Sequence, residues 1–456
     1  MKTNFVIAAI AATTLFAACN KDNDRMNPED TGKATSMKVS VNFPNAPQTR
    51  AGTEFTGDPN ATINEATINT VDVFVYFSGS GSFSSHTRLD ADDFTQMTTG
   101  TGDLFDLYKY TATKKIPTTT GAKSVFAGIN LPLSVVNALI DQPASALAAA
   151  VQTMTRAELA GTSNFAMFST ESVNSTFVED DTDPANNVTL TCKRMVAKVT
   201  VETDEDLQQT GVPGTLDNLK FAVNNFNTKL FMLQGEPDLR KDPNWASSDI
   251  FMSSDFTAAV DADYAPILKR KPGVTPSIKT DYTPRYAAEN TSEGKLKKEI
   301  TRVTVQATFI PKEVTVYKND TDNADGYKTT EAHGVTDPKT FYAVTPSITA
   351  GTSYFYDEDI ANAFAQDNLP ATVLTYTGGL CYWDIFLNKN PLNPVNRWDV
   401  LRNDFYMCNI TRIVAPGRNT PDVPDPGVTP DVNTNITADI KILFWNTPIL
   451  SDYVLE

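Results

Sequence analysis

A mainly β fold is what this 456-residue chain predicts: two β-sandwich domains with short helical insertions and an extended C-terminal arm. Three observations carry that expectation. The chain is 41% hydrophobic, enough to bury two cores of ordinary domain size but long for one. Threonine, valine, aspartate and asparagine are plentiful, whereas long helical periodicities are few. Short runs with period-two alternation recur along the chain, bounded by Gly, Pro and Asn.

The N-terminus comes first. Met1-Lys2 is a basic start, and Phe5 to Ala18 is a short apolar run of the length of a signal h-region rather than a membrane span. It ends in Phe16-Ala17-Ala18-Cys19, which resembles the lipobox cut by bacterial lipoprotein signal peptidase. Residues 1–18 are then the signal peptide and Cys19 the lipidated first residue; the other reading is a plain secretory signal with Cys19 as a stray thiol. Asn20 to Asp24 is a polar tether resembling the acidic signal that directs lipoproteins to the outer face of the outer membrane.

Met37, Val39, Val41 and Phe43 alternate with Lys38, Ser40 and Asn42, the pattern of a half-buried strand. Pro44 to Thr53 follows as an exposed loop suited to proteolysis, and Arg50 stands in it as a site for a trypsin-like protease, with Ala51 as the new first residue. Residues 19–50 are therefore read as a propeptide that carries its own strand.

A first domain is placed at residues 51–203. It contains a strand through Ile68, Val71, Val73, Val75 and Phe77 that turns at Ser78 to Gly81, and a second over Lys123 to Asn130. Leu133 to Ile140 and Ser145 to Met154 read as short helices. Val188 to Val201 is the strongest strand signal of this half. The second domain is placed at 204–414, with strands near Leu219 to Val223, Thr301 to Phe309, Tyr342 to Val344, Leu380 to Phe386 and Phe405 to Val414. The prolines of 415–435 describe an extended arm, at about 3.1 Å per residue where polyproline-like. Residues 436–456 carry a last apolar strand on that tether, through Ile440, Ile442, Leu443, Phe444 and Trp445.

Several function classes are disfavoured. The formal charge of -17 argues against nucleic acid, whose phosphates draw on clustered Lys and Arg. Two histidines, His86 and His333, stand far apart without spaced partner ligands, so neither a metal site nor a His-based triad is expected, and no cofactor or catalytic residue is assigned. The cluster Glu179, Asp180, Asp181 and Asp183 is a calcium candidate without EF-hand spacing, or a solvated loop. Cys381 and Cys408 could pair in an oxidising envelope, or remain buried thiols together with Cys192.

In order and spacing, these features resemble the Bacteroidia-type (type V) fimbrillins, the major fimbrial subunits with FimA-like and Mfa-like branches, closer to the second. The resemblance spans essentially the whole chain. It rests on Ala17-Ala18-Cys19, Thr49-Arg50-Ala51-Gly52, the strand Arg194-Met195-Val196-Ala197-Lys198-Val199, Arg402-Asn403-Asp404-Phe405-Tyr406, and the tail around Leu443-Phe444-Trp445. It implies two transthyretin-like sandwiches, export as an outer-membrane lipoprotein, and cleavage after Arg50 by an arginine-specific protease. It also implies head-to-tail self-association on the cell surface, in which the C-terminal strand of one subunit replaces the N-terminal strand removed from the next, and partnership with accessory fimbrial subunits in adhesion. A tip subunit or basal anchor is the nearer alternative. A surface glycan-binding lipoprotein using Tyr382, Trp383 or Trp398 as platforms is the more distant one.

Overall fold

The computed structural model describes residues 24–43, 63–96, 109–208, 212–234, 242–243, 256–274, 276, 280–291, 296–318, 327–332, 338–346, 352–387, 398–422 and 436–445. They form two compact units, Met1–Val196 with Thr228–Pro243 and Phe444–Glu456, and Ala197–Asn227 with Asn244–Leu443.

The first unit is built on one large sheet. Its strands are β1 (Asp24–Met26), β2 (Ala34–Asn42), β3 (Thr70–Phe77), β4 (Phe83–Asp90), β5 (Phe94–Gln96), β6 (Lys109–Ala112), β7 (Ile116–Thr119), β8 (Gly121–Ile129), β9 (Met167–Ser169), β10 (Val173–Phe177) and β11 (Asn187–Arg194). The order is β1-β4-β3-β8-β9-β11-β2-β6-β5, with β10 beside β8 and β7 beside β2. The run Thr-Val-Asp-Val-Phe-Val-Tyr-Phe forms β3 as its alternation predicts, and the chain turns through Ser78 to Gly81, where Gly81 takes a φ of +70°.

The partner strand β4 is not evident in the sequence, because its middle is Ser84, Ser85, His86 and Thr87. All four are buried, and His86 Nε2 lies 3.0 Å from Asp72 Oδ1, so polar pairing stands in for the missing apolar pattern. The predicted helices are shorter than expected. They span α1 (Leu133–Leu139) and α2 (Ala146–Ala149), and Gln152–Thr153 is instead strand, paired with Lys229–Leu230.

The second unit is a sandwich of two sheets. Its main strands are β12 (Val196–Gln208), β13 (Gly214–Asn224), β14 (Ala265–Pro266), β15 (Leu268–Arg270), β16 (Arg302–Pro311), β17 (Leu380–Phe386), β18 (Asp404–Ile413) and β19 (Ile436–Phe444). One sheet runs β15-β12-β18-β19 and the other β14-β13-β16-β17. Val199, Val201, Cys408 and Ile410 of the first face Phe221, Val305, Phe309, Cys381 and Trp383 of the second in one buried cluster. The Val188 to Val201 segment is two strands, divided at Met195. Up to Arg194 burial alternates; from Met195 every residue to Val201 is buried, and β12 runs parallel to β18 from Lys198 to Thr203 and to β15 from Glu202 to Asp204.

A smaller sheet of Phe341–Pro346, Ser353–Phe355 and Ala371–Tyr376 carries the helix α3 (Glu358–Asp367), which the sequence reading did not predict. Asp357 caps it, accepting from the Ile360 N–H at 3.0 Å, while Ala361, Phe364 and Ala365 are buried.

Cys192, Cys381 and Cys408 are buried free thiols, so the Cys381–Cys408 bond does not form. Burial pushes each thiol up to about 12. Alkylation of these three thiols at pH 8 is therefore expected to be undetectable in the folded subunit and complete once guanidinium unfolds it; rapid labelling of the native protein would contradict this packing.

The acidic cluster is a loop with local partners. Asp180 accepts from the Thr182 N–H and hydroxyl at 3.0 and 2.7 Å, and Asp183 from the Ala185 N–H at 2.8 Å. Among the described residues no group of acidic, His or Cys side chains could hold a metal ion. Tyr382, Trp383 and Trp398 are all buried, and the Trp383 indole donates to the Ala415 carbonyl at 3.2 Å. That removes the exposed aromatic platform on which the glycan-binding alternative rests.

Candidate assembly site

Two segments of opposite ends of the chain define the site. The first is β2. Its alternation places Met37, Val39, Val41 and Phe43 inside the first unit, none more than 4% exposed, while Lys38 faces out. The strand lies in the interior of the sheet. On one side it runs parallel to β11, from Lys38 opposite Asn187 to Asn42 opposite Thr191. On the other it is antiparallel to β7, from Ala34 opposite Thr119 to Met37 opposite Ile116, and then to β6, from Ser40 opposite Thr111 to Asn42 opposite Lys109.

Side chains reinforce the ladder. Ser40 and Thr111 share a hydrogen bond of 2.9 Å, the Thr191 hydroxyl donates to Asn42 Oδ1 at 2.8 Å, and the Asn186 amide donates to the Ser36 carbonyl at 3.1 Å. Lys33 pairs with Glu179 at 2.7 Å, an exposed contact of little weight. Burying four such apolar side chains contributes roughly 6–12 kcal/mol at about 1.5–3 kcal/mol each. That is comparable to the whole stability of a domain, about 5–15 kcal/mol.

Ahead of β2 stands Asp30, which the sequence reading did not single out. Its Oδ2 accepts from Lys123 Nζ at 2.7 Å, Ser84 Oγ at 2.7 Å and Thr119 Oγ1 at 2.6 Å. Both side chains of the ion pair are buried, at 0% exposure for Lys123 and 1% for Asp30, and the ammonium also lies 3.7 Å from the centre of the Phe77 ring. Burial alone would raise the Asp30 carboxyl, but the bonds from Lys123, Ser84, Thr119 and the Gly32 N–H together hold it below its ordinary value. Burial pushes the Lys123 ammonium down, against the opposite pull of Asp30. A signal for this pair does exist: Lys123 has the same strand parity as Val125 and Ala127, both fully buried, so alternation sends the lysine inward.

The second segment is the C-terminal strand. The sequence places it on a tether; in the second unit β19 pairs with β18 at the edge of the sheet, where its apolar row meets a core within its own subunit. Ile436 is buried there and Ala438 and Ile440 pack against the core, while Ile442 is 43% exposed. Leu443 and Phe444 complete the strand. Trp445 is buried in the first unit, edge-on to Phe165 at 6.2 Å and with the Arg194 guanidinium 4.6 Å from its ring centre. Arg194 also lies 5.7 Å from the ring centre of Phe43 and donates to the Glu65 carbonyl at 2.9 Å. Cys19, Arg50 and Ala51 lie outside the described residues.

The site combines a strand with a deep apolar row near one end of the chain and a second strand of like sequence pattern near the other. Comparison with known proteins gives the context. Residues 36–217 match the family model described as Major fimbrial subunit protein (FimA), and residues 374–448 match the one described as Major fimbrial subunit protein type IV, Fimbrillin, C-terminal. No curated protein matches the chain.

Among solved structures, a putative cell adhesion protein from Parabacteroides distasonis ATCC 8503 is 13% identical over 90% of this chain and 100% of its own, with a TM-score of 0.49. A fimbrilin (fimA) from Porphyromonas gingivalis W83 is 15% identical over 90% of this chain and 97% of its own, at 0.45. The tip fimbrial protein Mfa3 from Porphyromonas gingivalis is 14% identical over 89% and 99%, at 0.35. The two family models lie in chain order and together span more than half of the sequence, from β2 to the C-terminal strand. The chain belongs to the fimbrillin family of β-sandwich proteins, and is a non-enzymatic structural subunit that polymerises into fimbriae at the cell surface.

Proposed function

We propose that this subunit is exported as an outer-membrane lipoprotein anchored at Cys19, and that an arginine-specific protease cuts it after Arg50 to start polymerisation by strand exchange. One observation carries the reading: β2, the interior strand with four buried apolar side chains, lies between the lipidation and cleavage sites. Cleavage with release of residues 19–50 removes the lipid anchor, β1 and β2 together. It leaves unpaired backbone groups on β11, β6 and β7 and an apolar groove where Met37, Val39, Val41 and Phe43 stood.

A subunit in that state is stable only when the groove is refilled. The apolar row from Ala438 to Phe444 of a neighbour fits it by β-augmentation. Donor and acceptor are different surfaces, so the contact is heterologous and repeats into a filament. Possession of both the Arg50 site and the tail favours a shaft subunit over a tip or an anchor, with accessory subunits at the filament's ends.

N-terminal sequencing of surface-extracted protein tests the trigger. Filaments are expected to begin at Ala51, and an Arg50→Ala variant to accumulate as a lipidated precursor without filaments. Normal filaments from that variant, or recovery of Cys19 alone from assembled material, would sink the proposal.

A further inference from the structure

We propose that Lys123, Ser84 and Thr119 form a carboxylate socket in the acceptor groove, and that after cleavage it is filled by Asp431 of a second copy of this chain. The inference rests on the strand-exchange reading above and adds to it the register of the incoming strand.

Three donors, the Lys123 ammonium and the Ser84 and Thr119 hydroxyls, converge on a single oxygen of Asp30 at 2.6–2.7 Å. Asp30 leaves with the propeptide. Lys123 then keeps the Ser84 hydroxyl at 2.9 Å and the face of Phe77, both neutral, in a position with no solvent exposure in the precursor. A buried ammonium without an anion is among the costliest defects a fold can hold. The groove therefore selects a strand that brings a carboxylate with it.

The position of that carboxylate follows from spacing. Asp30 stands seven residues ahead of Met37, the first of the inward row Met37, Val39, Val41, Phe43. Asp431 stands seven residues ahead of Ala438, the first of Ala438, Ile440, Ile442, Phe444. Sliding the donor by two residues keeps apolar side chains facing inward but brings Thr429 or Asn433 to the socket. Of these three registers one supplies an anion. The match stops at Gly32, where a Cβ would lie 2.6 Å from the Thr120 carbonyl oxygen. The arm, with Asn433 there, must take a different path through that bend.

The test uses full-length precursors cleaved in vitro by a trypsin-like protease, with filaments read as ladders on unboiled gels and by their dissociation rate in guanidinium. Asp431→Asn filaments are expected to dissociate at least about tenfold faster than wild type. Asp425→Asn, which removes an equal charge from the same arm, stays within about twofold. Equal lifetimes for Asp431→Asn and wild type, or equal losses in both variants, would overturn the socket. Ile442→Asp separates the two readings. If it blocks assembly while Asp431→Asn behaves as wild type, strand exchange stands and the socket falls; if it assembles normally, both fall.

Discussion

Replacing Ile442 with Asp is expected to leave the precursor folded and to abolish its filaments. In the subunit Ile442 is 43% exposed on β19, and a substitution at such a position changes stability by no more than about 0.5 kcal/mol. In the proposed filament the same side chain belongs to the row that would fill a neighbour's groove, in a position vacated by Val41, which is fully buried in the subunit. An aspartate there either stays ionised without a partner or takes up a proton, and both cost several kcal/mol. A melting curve of the precursor together with an unboiled gel of the cleaved protein reads both effects. Ladders of wild-type length from Ile442→Asp would remove β19 from the donor role. Deleting Ile436 to Glu456 outright is a poorer experiment, since Ile436 and Trp445 are buried in the subunit and their loss weakens it before any assembly step.

The second large effect is in the precursor itself. Asp30→Ala leaves Lys123 buried without its counter-ion, and breaking such a pair costs about 3–5 kcal/mol, a large part of a domain's stability. Guanidinium unfolding in an Arg50→Ala background, where the propeptide stays attached, measures it. The pH dependence follows in sign. The Asp30 carboxyl is held below its ordinary value in the fold, so the unfolded chain binds more protons across that window and stability rises with pH there. Its contribution is complete above the ordinary carboxylate pKa of about 3.9 and is lost as pH falls through the depressed value. In Asp30→Asn that part of the pH dependence is absent. An unchanged acid midpoint in Asp30→Asn would show that the pair contributes nothing to stability.

Comparing the two ends of the chain shows why some of this was legible in sequence and some was not. The row Met37, Val39, Val41, Phe43 declares its strand and its inward face, since the side-chain period of a strand is two whatever surrounds it. β3, β17 and β18 are likewise visible within a residue or two of their ends. By contrast β4 is hidden, because its buried serines and histidine are satisfied by residues brought close only by the fold, such as Asp72. The break at Met195 is hidden too, because apolar residues on both sides of it suit a strand equally well.

The sequence by itself determined the strand periodicity and the matching apolar rows at the two ends, because each is a local pattern of residue types, and the processing proposed at Cys19 and Arg50 rests on the same kind of pattern. Only the tertiary structure decided that β2 lies in the sheet's interior, between β11 on one side and β6 and β7 on the other, that β19 rests beside β18 in its own subunit, and that Asp30 meets Lys123. These are pairings between residues far apart in the chain, and their free energy depends on burial and partner geometry that no local pattern contains.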